Sequence, residues 1–101
     1  PDALILCHQA TRDYIGDYPG REPWVKIPSY VEMIGIYESA AQPVHPTKVI
    51  GICLNTYDMD EAAAREAVAR AADETGLPAT DPVRFDSDVL VEAIIGARAT
   101  I

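Results

Sequence analysis

The chain reads as a three-layer α/β domain, a mostly parallel sheet flanked by helices, and three observations predict it. The stretch Lys48 to Thr56 holds five apolar residues, Val49, Ile50, Ile52, Cys53 and Leu54, interrupted only by Gly51 and stopped at Asn55-Thr56. Such a run, without polar alternation, suits a strand covered on both faces by helices. Ala3 to Cys7 repeats the pattern and again ends in polar side chains. Helix-like segments separate the apolar runs, which is the connection that parallel strands require.

The first strand, Ala3-Leu4-Ile5-Leu6-Cys7, gives way to His8-Gln9 and then Ala10-Thr11-Arg12. From Asp13 to Pro28 the segment DYIGDYPGREPWVKIP carries Pro19, Gly20, Pro23 and Pro28, which break any helix or central strand. It also carries Tyr14, Tyr18 and Trp24, so it reads either as a lid or partner contact or as a loop anchored by its own rings.

Ser29 stands three residues before Glu32, the spacing of a capping box, so a helix begins at Tyr30. Val31, Ile34 and Glu38 follow at helical spacing; Tyr30, Ile34, Tyr37 and Ala41 make its apolar stripe, and it ends near Gln42, before Pro43. His45, between Pro43 and Pro46, has no acidic or cysteine neighbour in sequence and reads as a solvent-facing loop residue. After the second strand, Asp58 or Asp60 caps a helix reaching Glu74, with Asp58 and Glu61 offering an acidic capping box. Alanines and Val68 form its core face, and Gly76 ends it in the left-handed conformation. Leu77 to Pro82 is a third, shorter strand ending at Thr80-Asp81. Asp86 or Ser87 then caps a last helix in which Val89, Leu90, Ala93, Ile94 and Ala97 repeat at helical spacing.

With 101 residues, 49% of them hydrophobic, the chain suffices for one domain with one modest core and is not disordered. No apolar run approaches the ~18 residues of a membrane span, and no secretory leader opens the chain, so a cytoplasmic location without membrane contact is expected. Sixteen acidic residues against eight basic ones leave a net charge of -8, which repels nucleic-acid phosphates and argues against such a partner. Cys7 and Cys53 fall inside the apolar runs and read as reduced, buried small hydrophobes. No metal-ligand spacing is present.

In open α/β sheets ligands bind beyond the carboxyl ends of the strands. The polar strand ends converge there: His8, Gln9, Thr11 and Arg12 from the first, Asn55 and Thr56 from the second, Thr80 and Asp81 from the third. His8 supplies a potential general base, Arg12 an anion contact, and Asn55 and Thr56 donors. Asn55 and Asp81 read equally as turn formers. G-x-x-x-x-G-K-[ST], G-x-G-x-x-G, H-E-x-x-H and G-x-S-x-G are all absent from the 101 residues.

The succession DALILCHQATR, PSYVEMIGIYE, KVIGICLNT and ETGLPATDPVRF resembles the C-terminal half of the D-glutamate N-acetyltransferase family, over Pro1 to Ile95. The most specific pieces are Cys7 to Arg12, Leu54-Asn55-Thr56 and Thr75 to Arg84. The resemblance implies a P-loop-NTPase-like domain preceded by a Rossmann-like one, with the phosphate loop upstream. Residues 1–101 would then be a C-terminal fragment of one α/β domain, inactive alone, with residues 13–28 inserted as a loop after the first strand. The start at Pro1-Asp2, without an initiator Met, agrees with a fragment.

The activity implied is transfer of acetyl from acetyl-CoA to the amino group of an acidic amino acid such as D-glutamate, in a homo-oligomer acting on small molecules. His8 would be catalytic, as base or oxyanion donor. Arg12 would bind the substrate carboxylate, with Gln9, Thr11, Asn55, Thr56 and Asp81 as further binding residues. Two alternatives stay open: a nucleotide-binding, kinase-like protein using ATP and magnesium at the same strand ends, and a mainly oligomerising domain whose aromatic loop packs on a neighbouring subunit.

Overall fold

The computed structural model describes residues 1–10, 14–15 and 25–98. Its elements are β1 (Ala3–Gln9), β2 (Tyr14–Ile15), β3 (Val25–Lys26), α1 (Tyr30–Ala41), β4 (Lys48–Asn55), α2 (Glu61–Thr75), β5 (Ala79–Thr80) and α3 (Asp88–Arg98). β1, β4 and β5 form a parallel sheet with β4 in the middle, as its unbroken apolar sequence demands. β1 runs two residues past its apolar run, so His8 pairs with Leu54 and Gln9 with Asn55. The Ala10 N–H donates to the Asn55 carbonyl at 3.0 Å and extends the ladder by one rung. β5 is only two residues long because prolines flank it, although the Pro78 carbonyl still accepts from the Ile52 N–H at 2.8 Å.

The segment read as irregular from Asp13 to Pro28 contains a small antiparallel ladder, Tyr14 opposite Lys26 and Ile15 opposite Val25. Ring and β-branched residues at both ends of the segment favour extended backbone, and the prolines lie between or beyond them. Tyr18 and Trp24, with the rest of that loop, lie outside the described residues.

α1 and α2 cover one face of the sheet. Leu6, Val49, Ile52, Leu54 and Ala71 are buried there against Tyr30, Met33 and Ile34 of α1 and Ala67 and Val68 of α2. Each large aliphatic side chain sealed in this way contributes about 1.5–3 kcal/mol. The stripe of α1 turns differently from the one expected, since Met33 faces the core while Tyr37 is half exposed. The row Tyr30, Ile34 continues instead to Glu38, whose Oε2 accepts the Val49 N–H at 3.0 Å and whose Oε1 lies 3.7 Å from Lys48 Nζ. A register shift between Leu4 and Ile5 makes Ile50 the extra residue of β4, next to the amide that Glu38 takes up.

α3 lies on the other face, against β4 and β5. Gly51 permits the approach, because a Cβ there would stand 2.7 Å from Leu90 Cδ2. Leu90 is the buried residue of α3. Val89, Ile94 and the neighbouring Val91 and Ile95 stay exposed, contrary to the stripe expected of this helix. The reason is position: α3 meets the sheet along one line of side chains, and among the described residues nothing packs on its outer side. Cys7 is exposed and Cys53 half-buried, which corrects the reading of both as buried. Residues at odd positions of β1 point to the α3 face, and α3 packs on β4 and β5 rather than on β1.

Local signals set the helix ends. Ser29 Oγ accepts the Glu32 N–H at 3.2 Å, and its hydroxyl donates back to Glu32 Oε1 at 3.1 Å. Of the two aspartates that could cap α2, Asp60 does so, accepting the Ala63 N–H at 2.7 Å, and Gly76 closes the helix at φ 70°. His45 is exposed as expected, but Asp2 comes within 3.2 Å of its Nε2 from the other end of the chain. No described helix is long and apolar enough to cross a membrane.

Candidate active site at the carboxyl ends of the strands

β1 and β4 end side by side, and the turn after β5 folds back toward them. Together they enclose an open cavity of about 450 Å³. His8 and Gln9 reach it from β1, Asn55 from the end of β4 with Tyr57 just beyond, and Asp81 to Arg84 from the turn after β5. A larger hollow of about 640 Å³ lies between α1 and the start of β4, around Glu38, His45 and Lys48. Polar side chains there are engaged with one another, Lys48 with Glu38 and His45 with Asp2. The cavity at the strand ends is where polar groups from all three parallel strands converge, and it is therefore the candidate site.

Asp81 organises this end of the sheet. It is 3% exposed, and its Oδ2 accepts both the Thr56 N–H at 2.9 Å and the Thr56 hydroxyl at 2.5 Å. Its Oδ1 accepts the amides of Val83 at 3.0 Å and Arg84 at 3.3 Å. Burial works against the charge, but the four hydrogen bonds outweigh it and hold the carboxyl below its ordinary value. Asp81 is thus an ionised clamp joining the ends of β4 and β5. Thr56, fully buried, is the other half of that clamp and stands behind the cavity wall. Thr80 is buried too and donates its hydroxyl to the Asp86 carbonyl at 3.0 Å.

Asn55 and His8 are further polar residues of the lining. The Asn55 Oδ1 accepts the Tyr57 N–H at 3.2 Å, an Asx turn that leaves the carboxamide nitrogen for a ligand. His8 is half-buried, its ring edge-on to Tyr30 with centroids 5.4 Å apart and planes at 84°. That contact anchors the imidazole on the α1 side of the sheet. Burial, then Glu74 nearby, pushes the Tyr30 hydroxyl above its ordinary value.

Of the residues expected from sequence, His8, Gln9, Asn55 and Asp81 surround one cavity, with Thr56 and Thr80 just behind it. Thr11 and Arg12 lie outside the described residues. Arg84 was not foreseen. Its Nη2 donates to the Thr56 carbonyl at 2.7 Å and the Met59 carbonyl at 2.6 Å, which fixes a guanidinium at the cavity. The signal for it was the turn former Asp81-Pro82 directly after a strand, which returns the next cation toward the strand end. Arg65 stacks on Phe85 at 4.7 Å and holds the same turn against α2. Cys7, Cys53 and Tyr57 were also not foreseen in the wall. Among the described residues no three His, Cys, Asp or Glu side chains gather in a group that could hold a metal ion.

Comparison with known proteins bears on this geometry. Residues 1–91 match the family model described as "Domain of unknown function (DUF1611_C) P-loop domain". A protein of Tritonibacter scottomollicae named D-glutamate N-acetyltransferase is 35% identical over 95 residues, which are 93% of this chain and 27% of that protein. One of the same name from a Pseudoalteromonas species is 29% identical over 92 residues, 90% of this chain and 26% of that protein. A crystal structure of a DUF1611 family protein from Anabaena variabilis superposes with a TM-score of 0.84 at 42% identity, covering 95% of this chain and 28% of that one. The chain therefore spans about a quarter of the length of the relatives it matches.

Proposed function

The chain belongs to the DUF1611 family, in its P-loop domain, and from that premise we propose that it is the C-terminal segment of an N-acyltransferase. The reaction is transfer of acetyl from acetyl-CoA to the amino group of an acidic amino acid such as D-glutamate. The observation that carries it is the cavity at the strand ends, whose lining includes the potential base His8, the carboxamide of Asn55 and the fixed guanidinium of Arg84. The name shared by two relatives, D-glutamate N-acetyltransferase, supports acetyl as the group transferred and D-glutamate as its acceptor.

N-acyl transfer needs a base for the ammonium proton and donors for the oxyanion of the tetrahedral intermediate. His8 takes the proton or donates to the oxyanion, and Asn55 donates from its carboxamide nitrogen. Arg12 meets the substrate carboxylate, and Arg84 offers the cavity a second cation. Gln9 and Thr11 add substrate contacts, while Thr56 and Asp81 hold the shape of the cavity.

The test is steady-state release of free CoA by the full-length protein supplied with acetyl-CoA and D-glutamate. His8→Ala is expected to lower kcat/KM by about 10²–10⁴. Near-normal turnover in His8→Ala and in Arg12→Ala alike sinks the assignment. A second reading has its own support, the P-loop description of the matched family model, and makes the protein a nucleotide binder. Thermal shift separates the two. At a hundredfold excess over Kd a true ligand stabilises by about 2.7 kcal/mol, so acetyl-CoA raises Tm under the first reading and ATP with magnesium under the second.

A further inference from the structure

We propose that Cys7 and Cys53 form a dithiol site that small disulfides oxidise to an intramolecular disulfide. The two residues are direct partners in the parallel ladder between β1 and β4, so their side chains leave the sheet side by side on the same face. Both stand in the wall of the strand-end cavity. Cys7 is exposed and Cys53 half-buried, and they are the two cysteines of the sequence.

Spacing decides what such a pair can do. Neighbouring strands run about 4.8 Å apart, inside the ~4.4–6.8 Å Cα separation of natural disulfides. Parallel partners have Cβ atoms nearly as far apart as their Cα atoms, above the disulfide mean of ~3.8 Å. Closing the bond therefore draws β1 toward β4 and stores strain. A strained, accessible disulfide belongs to the readily reduced class, which suits a reversible site rather than a permanent staple.

Exposure also orders the chemistry. Burial, then the adjacent Cys7 thiol, pushes the Cys53 thiol above its ordinary value, so Cys7 attacks first. Its thiolate attacks one sulfur of the small disulfide, forms a mixed disulfide and expels one small thiol. Cys53 then loses its proton to solvent and attacks the Cys7 sulfur, which expels the second thiol. The protein loses two hydrogens, and the small disulfide is reduced to two thiols. The inference rests on the fold alone and stands whichever ligand the cavity holds.

The test treats the reduced full-length protein with oxidised glutathione under native conditions and maps the cysteine peptides by mass spectrometry. The unsubstituted protein is expected to yield a peptide pair joined through Cys7 and Cys53, lost again on adding dithiothreitol. In Cys53→Ser a glutathione adduct should accumulate on Cys7, whereas Cys7→Ser should leave Cys53 largely unmodified. A glutathione adduct that persists on Cys7 in the unsubstituted protein overturns the proposal, as does an intermolecular bond through Cys7 or no reaction at either thiol. Because the deciding measurement uses the unsubstituted protein, it holds even where a serine variant fails to fold.

Discussion

On the face of the sheet covered by α1 and α2, Leu6, Ile52 and Leu54 are sealed by a continuous layer of side chains, whereas on the α3 face the sheet presents Gly51, Cys7 and Cys53 and the helix buries Leu90 alone. The first face is held by volume, with many branched residues in mutual contact. The second is held by close approach along a single line, and it leaves room beside that line. Both the exposed thiol of Cys7 and the apolar surface of Val91, Ile94 and Ile95 lie on this thinner side. A strand of uniformly apolar sequence can thus have one face sealed and one face open to chemistry.

The largest expected effect is in the sealed layer. Ile52→Ala should cost about 3–4 kcal/mol in denaturant unfolding of the full-length protein, because Ile52 is 0% exposed and its neighbours cannot collapse into the gap. Leu90→Ala should cost about 2 kcal/mol, since solvent reaches the edge of that site. Equal costs, or a larger one at Leu90, would break the contrast between the faces.

Next comes the clamp at the carboxyl ends, which both faces share. Asp81→Ala leaves the Thr56 amide and hydroxyl without their acceptor and should cost about 2–3 kcal/mol. The Asp81 carboxyl is held below its ordinary value, so its contribution is complete above the unfolded-state pKa of about 3.9. It disappears as pH falls from there through the lower folded value, because the unfolded chain binds the proton first. Unfolding followed against pH should show a shallower acid limb in Asp81→Ala, and an unchanged limb would count against the clamp.

The smallest effect sharpens the account of the α3 face. Gly51→Ala should cost about 1–2 kcal/mol by pushing the Leu90 side chain aside. Made in a Leu90→Ala background it should cost markedly less, since the obstructing methyl is gone; strictly additive costs would show that Gly51 is not there to admit Leu90.

Features governed by neighbouring residues were legible in the sequence. β4 was recognisable from its apolar run, α1 from Ser29 and Glu32, the end of α2 from Gly76, and the converging strand ends from His8, Gln9 and Asn55. The competing caps Asp58 and Asp60 could not be ranked, because both have the composition and only backbone geometry at Asp60 selects one. Arg84 escaped notice for a similar reason, since its place at the cavity depends on carbonyls of Thr56 and Met59, 28 and 25 residues away.

The sequence by itself determined that β1, β4 and β5 are strands and α1, α2 and α3 helices, how α1 begins and α2 stops, and which polar residues end the strands. These follow from side-chain periodicity, backbone propensity and hydrogen bonds within a few residues. Only the tertiary structure decided that α3 reaches β4 and β5 but leaves Cys7 uncovered, that Glu38 rather than Tyr37 continues the inner row of α1, and that Asp81 grips Thr56 from 25 residues away. Burial is a property of what lies opposite a side chain, and parallel strands acquire their neighbours through crossovers whose placement no local pattern encodes.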